Sequence, residues 1–177
     1  MRKPGAEWSD RPDQSDSSDS SLKLSVLVGS LLRRQGLTLA TAESCTGGFI
    51  GNLVTDVPGS SDYYVGGIIA YSNNTKTRLL GVKVATLRRS GAVSSAVVKE
   101  MAHGVRVRLR ADVGIAVSGI AGPAGGTKKK PTGLVYVGLA SDNRVCSQKF
   151  RFSGSRREVK EQAAAAALGL CRRALES

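Results

Sequence analysis

Two apolar stretches that each empty into a run of small residues constrain this chain most. Residues 37–42 lead into Ser44-Cys45-Thr46-Gly47-Gly48, and residues 113–117 lead into Ser118-Gly119-Ile120-Ala121-Gly122-Pro123-Ala124-Gly125-Gly126. The unbroken apolar run at 113–117 reads as a central strand, buried on both faces. Glycines directly after a strand let the backbone turn sharply and approach a ligand. In open α/β sheets that end of the strand is where ligands gather. Two such junctions in one chain call for a sheet with helices packed on it.

The remaining pattern fits that frame. Leu22, Leu24, Val26, Leu27, Leu31 and Leu32, followed by Arg33, Arg34 and Gly36, predict an amphipathic helix with a basic last turn and a glycine stop. Residues 48–56 predict a helix ended by Pro58-Gly59, and residues 63–71 a buried strand. Short helical pieces follow at 76–80 and 85–89, then a longer helix at 94–109. Residues 134–140 and 145–152 predict a hairpin across Ser141-Asp142-Asn143, and residues 156–175 a closing helix. Strands and helices mix without strict βαβ alternation. The expected fold is therefore an α/β sandwich with a mixed sheet covered by helices, not a purely parallel doubly wound one.

At 177 residues the chain suits one domain. Residues 1–21, rich in Ser, Asp and Pro with Trp8 as the one large hydrophobe, predict a disordered acidic tail, and the domain spans 22–177. The tail holds three basic and five acidic side chains, so the net charge of +12 leaves +14 on the domain. A field of that sign favours anionic ligands, nucleotides and RNA among them, or serves only solubility. No run reaches the ~20 apolar residues of a membrane span, and no signal-peptide pattern opens the chain, so a cytoplasmic protein is expected. Cys45, Cys146 and Cys171 form no CxxC pair, which speaks against a disulfide framework or a zinc site.

Ser44 is the first candidate for chemistry. Free backbone N–H groups at Thr46, Gly47 and Gly48, with the positive end of the following helix, would surround its hydroxyl and suit a phosphate or an oxyanion. The plain alternative makes Ser44 or Thr46 a helix N-cap. His103, the single histidine, lies within the 94–109 helix among Val97, Met101 and Val105 and reads as a packing or surface residue. A serine nucleophile must then rely on another base, and Tyr71 and Lys76, flanking a polar turn after the 63–71 strand, are available. A lysine serves only if burial or a neighbouring cation depresses its pKa, and a tyrosine only if a cation stabilises its phenolate. Otherwise the two are a surface lysine and a sheet-edge tyrosine. The 118–126 loop matches neither GxxxxGK[ST] nor GxGxxG. Lys128-Lys129-Lys130 reads as a solvated run or a phosphate attractor, while Arg156 and Arg157, entering the last helix, are stronger phosphate candidates.

Jointly, Thr41-Ala42-Glu43-Ser44-Cys45-Thr46-Gly47-Gly48, Pro58-Gly59-Ser60-Ser61, Tyr71-Ser72-Asn73 with Lys76 and Gly81-Val82, Gly91-Ala92-Val93-Ser94, Ser118 to Pro123 with Gly125-Gly126, and Lys130-Pro131-Thr132-Gly133 resemble the CinA C-terminal domain family. That family includes stand-alone nicotinamide-nucleotide amidohydrolases, and the resemblance runs from about Leu22 to Leu175. It implies a three-layer α/β/α domain, no metal or cofactor, and hydrolysis of the nicotinamide mononucleotide carboxamide to nicotinate mononucleotide and ammonia. It implies Ser44 as nucleophile and Tyr71 with Lys76 as base apparatus. Gly119, Ile120, Ala121, Gly122, Gly125 and Gly126 would line the site, and Arg156 would meet the substrate. A homo-oligomer, dimer or higher, is expected, with no membrane partner. Two rival functions stand beside this one: a non-catalytic nucleic-acid- or partner-binding domain on the same scaffold, and an amidohydrolase of another phosphorylated amide. Aromatic residues at 5% and the lack of an interleaved basic-aromatic strand argue against base stacking on single strands. Nonspecific nucleic-acid binding through charge stays open.

Overall fold

The computed structural model describes the backbone of residues 17–177 and the side chains of residues 21–177. The expected disorder of residues 1–21 therefore falls mostly outside the described residues. Helix α1 (Ser17–Gln35) starts five residues ahead of the expected boundary at Leu22. It is followed by β1 (Leu39–Glu43), α2 (Phe49–Thr55), a 3-10 turn at Ser60–Asp62, β2 (Tyr64–Ile69), α3 (Asn73–Leu80), α4 (Val84–Ser90) and α5 (Ser95–Leu109). The second half holds β3 (Val113–Gly119), the hairpin β4 (Leu134–Ala140) with β5 (Val145–Arg151), and α6 (Arg156–Glu176).

The five strands form one mixed sheet in the order β2-β1-β3-β4-β5. β1 pairs in parallel with β2 and β3, whereas β3–β4 and β4–β5 are antiparallel. Each sheet face has its own core, which makes the domain a three-layer α/β/α sandwich. On one face Val28 and Leu32 of α1, Ile50 and Leu53 of α2, and Ala164 and Leu168 of α6 cover Leu39, Ile115, Val117, Val135 and Val137. On the other, Val97, Met101, Ala102 and Val105 of α5, with Leu80 of α3, cover Ala40, Ala42, Ala116 and Ala140. Small residues on that second face let α5 lie close: a Cβ on Gly114 or Gly138 would run into the carbonyl of Ala102 or Val98. Pleating sends alternate side chains to opposite faces, so large residues serve one core and small ones the other.

One strand differs from expectation. β2 is an edge strand rather than a buried one, and Val65 and Ile69 are about half exposed. Its apolar content misled because it bonds only to β1, and the seven residues of α2 are too few to cover it. No helix among the described residues is long and apolar enough to cross a membrane.

Candidate functional site

The chain leaves β1 at Glu43 and enters a turn over residues 44–48 before α2 begins at Phe49. Ser44 extends the pairing with β3 by one bond, its N–H donating to the Val117 carbonyl at 3.0 Å. Gly48 occupies the N-cap position of α2 in the left-handed conformation, with no side chain capping the helix. Ser44 and Thr46 are therefore not caps. The role falls to Glu43, 2% exposed, whose carboxylate accepts from the N–H groups of Gly48 at 2.9 Å, Ile50 at 3.2 Å and Gly51 at 2.8 Å. A carboxylate at a helix N-terminus is stabilised by the helix dipole. One expectation is thereby corrected: the N–H of Gly48 is spent on Glu43 and is not free to hold an oxyanion. Thr46 and Gly47 give theirs neither to Glu43 nor to one another.

Lys76 reaches Ser44 from the other side of the sheet's C-terminal edge. Ser72 caps α3, accepting from the Thr75 N–H at 3.0 Å, and this places Lys76 in the first turn of the helix. The Lys76 side chain is 1% exposed, and its Nζ lies 2.9 Å from Ser44 Oγ, 2.8 Å from the Ala70 carbonyl and 3.1 Å from the Tyr71 carbonyl. Burial pushes its pKa below the ordinary lysine range. Nζ donates to Ser44 Oγ and to the two carbonyls, and its lowered pKa brings the neutral amine, the form that can accept the serine proton, closer to working pH.

Tyr71 contributes differently from expectation. Its main-chain carbonyl holds Lys76, while its phenol is 62% exposed and accepts a hydrogen bond from Arg156 Nη2 at 3.0 Å. The tyrosine hydroxyl is bonded to neither Ser44 nor Lys76. Arg156 also donates from Nη1 to the Gly122 carbonyl at 2.7 Å, so it ties the start of α6 to the glycine-rich loop. Ser155 and Glu158 form a capping box that fixes this helix start.

β3 runs two residues past the expected end, to Gly119, where the loop passes beside the nucleophile turn. A Cβ on Gly119 would stand 2.6 Å from Val135 Cγ2 and 3.1 Å from Cys45 Sγ, so only glycine fits. Ile120 pairs back to Leu134 and Gly133, Ala121 is buried, and Gly122 and Gly125 take left-handed backbone, so 119–122 form a fixed wall. Pro123 to Lys129, Gly125 and Gly126 among them, are exposed. Cys45, next to Ser44, is an alternative nucleophile by position only, because burial raises its thiol to about 11 and keeps it protonated at neutral pH.

Two further expectations resolve. His103 is exposed on α5, where it lines a shallow groove with Lys83, Lys99 and Arg110 that shares no residue with the Ser44 centre. Lys130 does not behave as part of a solvated run. Its Nζ donates to the carbonyls of Ser90 at 2.6 Å and Val93 at 2.8 Å, and Ser118 Oγ donates to Ala92 at 2.9 Å. The Gly91 to Ser94 segment is thus clamped against the loop.

Residues 21–175 match the family model described as the CinA C-terminal domain. The chain belongs to the CinA C-terminal domain family. It is 57% identical over 130 residues to a putative competence-damage inducible protein of Halothermothrix orenii, covering 73% of this chain and 32% of that one. A CinA-like protein of Endomicrobium trichonymphae is 49% identical over 152 residues, 86% of this chain and 36% of that one. The CinA domain described here thus spans about a third of the length of these relatives. Among solved structures, the competence/damage inducible protein CihA from Agrobacterium tumefaciens superposes with a TM-score of 0.86 at 37% identity, covering 89% of this chain and 96% of that one. A CinA superfamily protein from Enterobacter cloacae gives 0.86 at 34% identity, with 97% and 99% covered. The mixed-sheet α/β fold is shared with them.

Glu43 and the two carbonyls that hold Lys76 carry no expected role in the sequence, and Lys130 reads there as part of a solvated run or a phosphate attractor rather than as a clamp. An acid five residues ahead of a glycine N-cap is a faint signal for the first. Nothing local distinguishes Lys130 from Lys128 and Lys129, and main-chain acceptors leave no trace in residue types.

Proposed function

We propose that this domain is a serine amidohydrolase acting on the carboxamide of nicotinamide mononucleotide, yielding nicotinate mononucleotide and ammonia. The observation that supports it most is the buried Lys76 amine, 2.9 Å from Ser44 Oγ and oriented by two carbonyls. Lys76 takes the Ser44 proton as the oxygen attacks the carboxamide carbon. The N–H groups of Thr46 and Gly47 receive the developing oxyanion, a preorganised arrangement whose single donors are typically worth ~100- to 1,000-fold in turnover. The Lys76 ammonium then protonates the leaving nitrogen, and ammonia departs. Water, deprotonated by the neutral Lys76, cleaves the acyl-enzyme and restores Ser44. Arg156 ties Tyr71 to Gly122 beside the Ser44 turn and keeps unspent N–H groups for the substrate. Ammonia release from nicotinamide mononucleotide, set against nicotinamide riboside, tests this reading. Release from another phosphorylated amide alone would keep the chemistry and change the substrate.

A second property is proposed from charge. Arg78, Lys83, Arg88, Arg89 and Arg110 on the α3–α5 layer are exposed and have no carboxylate partner among the described residues. Such a face supports nonspecific, salt-sensitive attraction of polyanions such as nucleic acid. Loss of retention on duplex DNA between low and physiological salt would support it, and no retention at low salt would reject it.

A further inference from the structure

Lys160 stands one helical turn after Arg156 on α6, so the two side chains leave the same face of the helix. Arg156 gives one N–H of each terminal nitrogen to the protein itself, at Gly122 and Tyr71, which fixes where the guanidinium stands. Lys160, half-buried, has no carboxylate within salt-bridge distance and no hydrogen-bond acceptor among the described residues. Its Nζ lies 3.9 Å from the point that a Cβ on Gly47 would occupy, over the turn that carries Ser44. Gly47 holds left-handed backbone at φ 66°, so the cation faces bare main chain there.

The electrostatics around this turn are incomplete. Glu43, the carboxylate of the turn, is committed to three N–H groups, and Lys76 is held by carbonyls. Lys160 and Arg156 therefore add positive charge with no carboxylate in contact among the described residues. A partly desolvated cation without a partner is costly, and an anion placed against it gains a charge-assisted bond. A compact ammonium without a partner suits a phosphate, which takes its bond from Lys160 and leaves the Gly47 N–H to the oxyanion.

We infer that Lys160, standing beside the Ser44 turn, binds the phosphomonoester of the substrate and is a specificity-determining residue of this site. The identity of the whole molecule rests on the amidohydrolase reading above, but the anion site does not. Lys160 here anchors; it does not stabilise the reacting centre. An anchor binds ground state and transition state alike and appears in KM, whereas a group acting on the developing charge appears in kcat.

The test titrates the full chain with inorganic phosphate, followed by phosphorus NMR, and compares wild type with Lys160→Ala, Lys160→Arg and Lys128→Ala. Loss of a charge-assisted contact predicts ~10- to 150-fold weaker phosphate binding in Lys160→Ala. Arginine should restore it, and Lys128→Ala, far out on the exposed loop, should leave it unchanged. Unchanged phosphate affinity in Lys160→Ala, or equal losses in Lys160→Ala and Lys128→Ala, would overturn the inference. In the ammonia assay Lys160→Ala should raise KM for nicotinamide mononucleotide with kcat preserved, and leave any turnover of the riboside untouched. A fall in kcat on both substrates would also overturn it, since Lys160 would then act at the reacting carbon. If wild type releases no ammonia yet loses phosphate binding on Lys160→Ala, the amidohydrolase reading falls and the anion site stands.

Discussion

Replacing Lys76 with methionine removes the amine while nearly preserving the volume of a side chain that is 1% exposed. Two effects oppose each other in stability. The Ala70 carbonyl, on a fully buried residue, loses its lysine donor, at a cost of ~1–3 kcal/mol. Tyr71 is exposed, so water replaces the donor at its carbonyl. Against this, the fold no longer has to bury an amine whose charged form it disfavours. A midpoint change of about 2–4 °C per kcal/mol limits the net shift to a few degrees. Activity has no such compensation, because a general base contributes ~100- to 10,000-fold. The pH dependence gives the sign. Lys76 has a lowered pKa in the folded state, so between that value and the unfolded 10.5 the unfolded chain binds more protons. Wild-type stability therefore gains from Lys76 as pH rises through that window, and Lys76→Met lacks that slope. In the proposed reaction turnover needs the neutral amine and so should rise with pH through the folded Lys76 pKa. Ammonia release and calorimetry across pH measure both. Activity of Lys76→Met within tenfold of wild type would refute the base assignment, as would an unchanged pH limb in the variant.

Glu43→Ala deprives three buried or partly buried N–H groups of a charged acceptor, and at ~1.5–3 kcal/mol for a hydrogen bond to a charged group it should lower the thermal midpoint more than any other single change at the turn. An unshifted midpoint would show that the carboxylate does not organise α2. Lys130→Ala should destabilise the domain by ~1–3 kcal/mol through the orphaned carbonyls of Ser90 and Val93, while Lys128→Ala should leave denaturant midpoints unchanged; equal effects would return Lys130 to the solvated run. His103→Ala should retain full ammonia release, since the exposed imidazole is outside the Ser44 centre, and a large loss would require a base other than Lys76.

Much of the fold is legible in the residues because strands and helices carry their own periodicity. The β4–β5 hairpin, the two strand-to-loop junctions and α6 each follow from a local apolar pattern and its turn residues. The edge position of β2 is not local. YVGGII reads as buried until one knows that only β1 bonds to it and that α2 is short. The encounter of Ser44 with Lys76, 32 residues apart, is likewise a product of topology: parallel pairing of β1 and β2 brings both strand ends to one edge, and the α3 cap then aims the lysine inward. Residue types alone point to the pair but leave the route open, and the structure chooses direct contact over a path through the Tyr71 phenol. Arg156 is half legible. Its place at a helix start is plain in Ser153-Gly154-Ser155, but its bonds to Gly122 and Tyr71 depend on two segments remote in sequence.

In the proposed function Ser44 performs amide hydrolysis on a pyridine mononucleotide. Purified wild-type chain and Ser44→Ala, incubated with nicotinamide mononucleotide, should be compared for ammonia and nicotinate mononucleotide. Wild type should release one ammonia per nicotinate mononucleotide, and the variant none above background. The variant should keep a wild-type-like thermal transition, because Ser44 caps no helix and loses only its bond to Lys76. No ammonia from the wild-type chain, or undiminished release from Ser44→Ala, would contradict it.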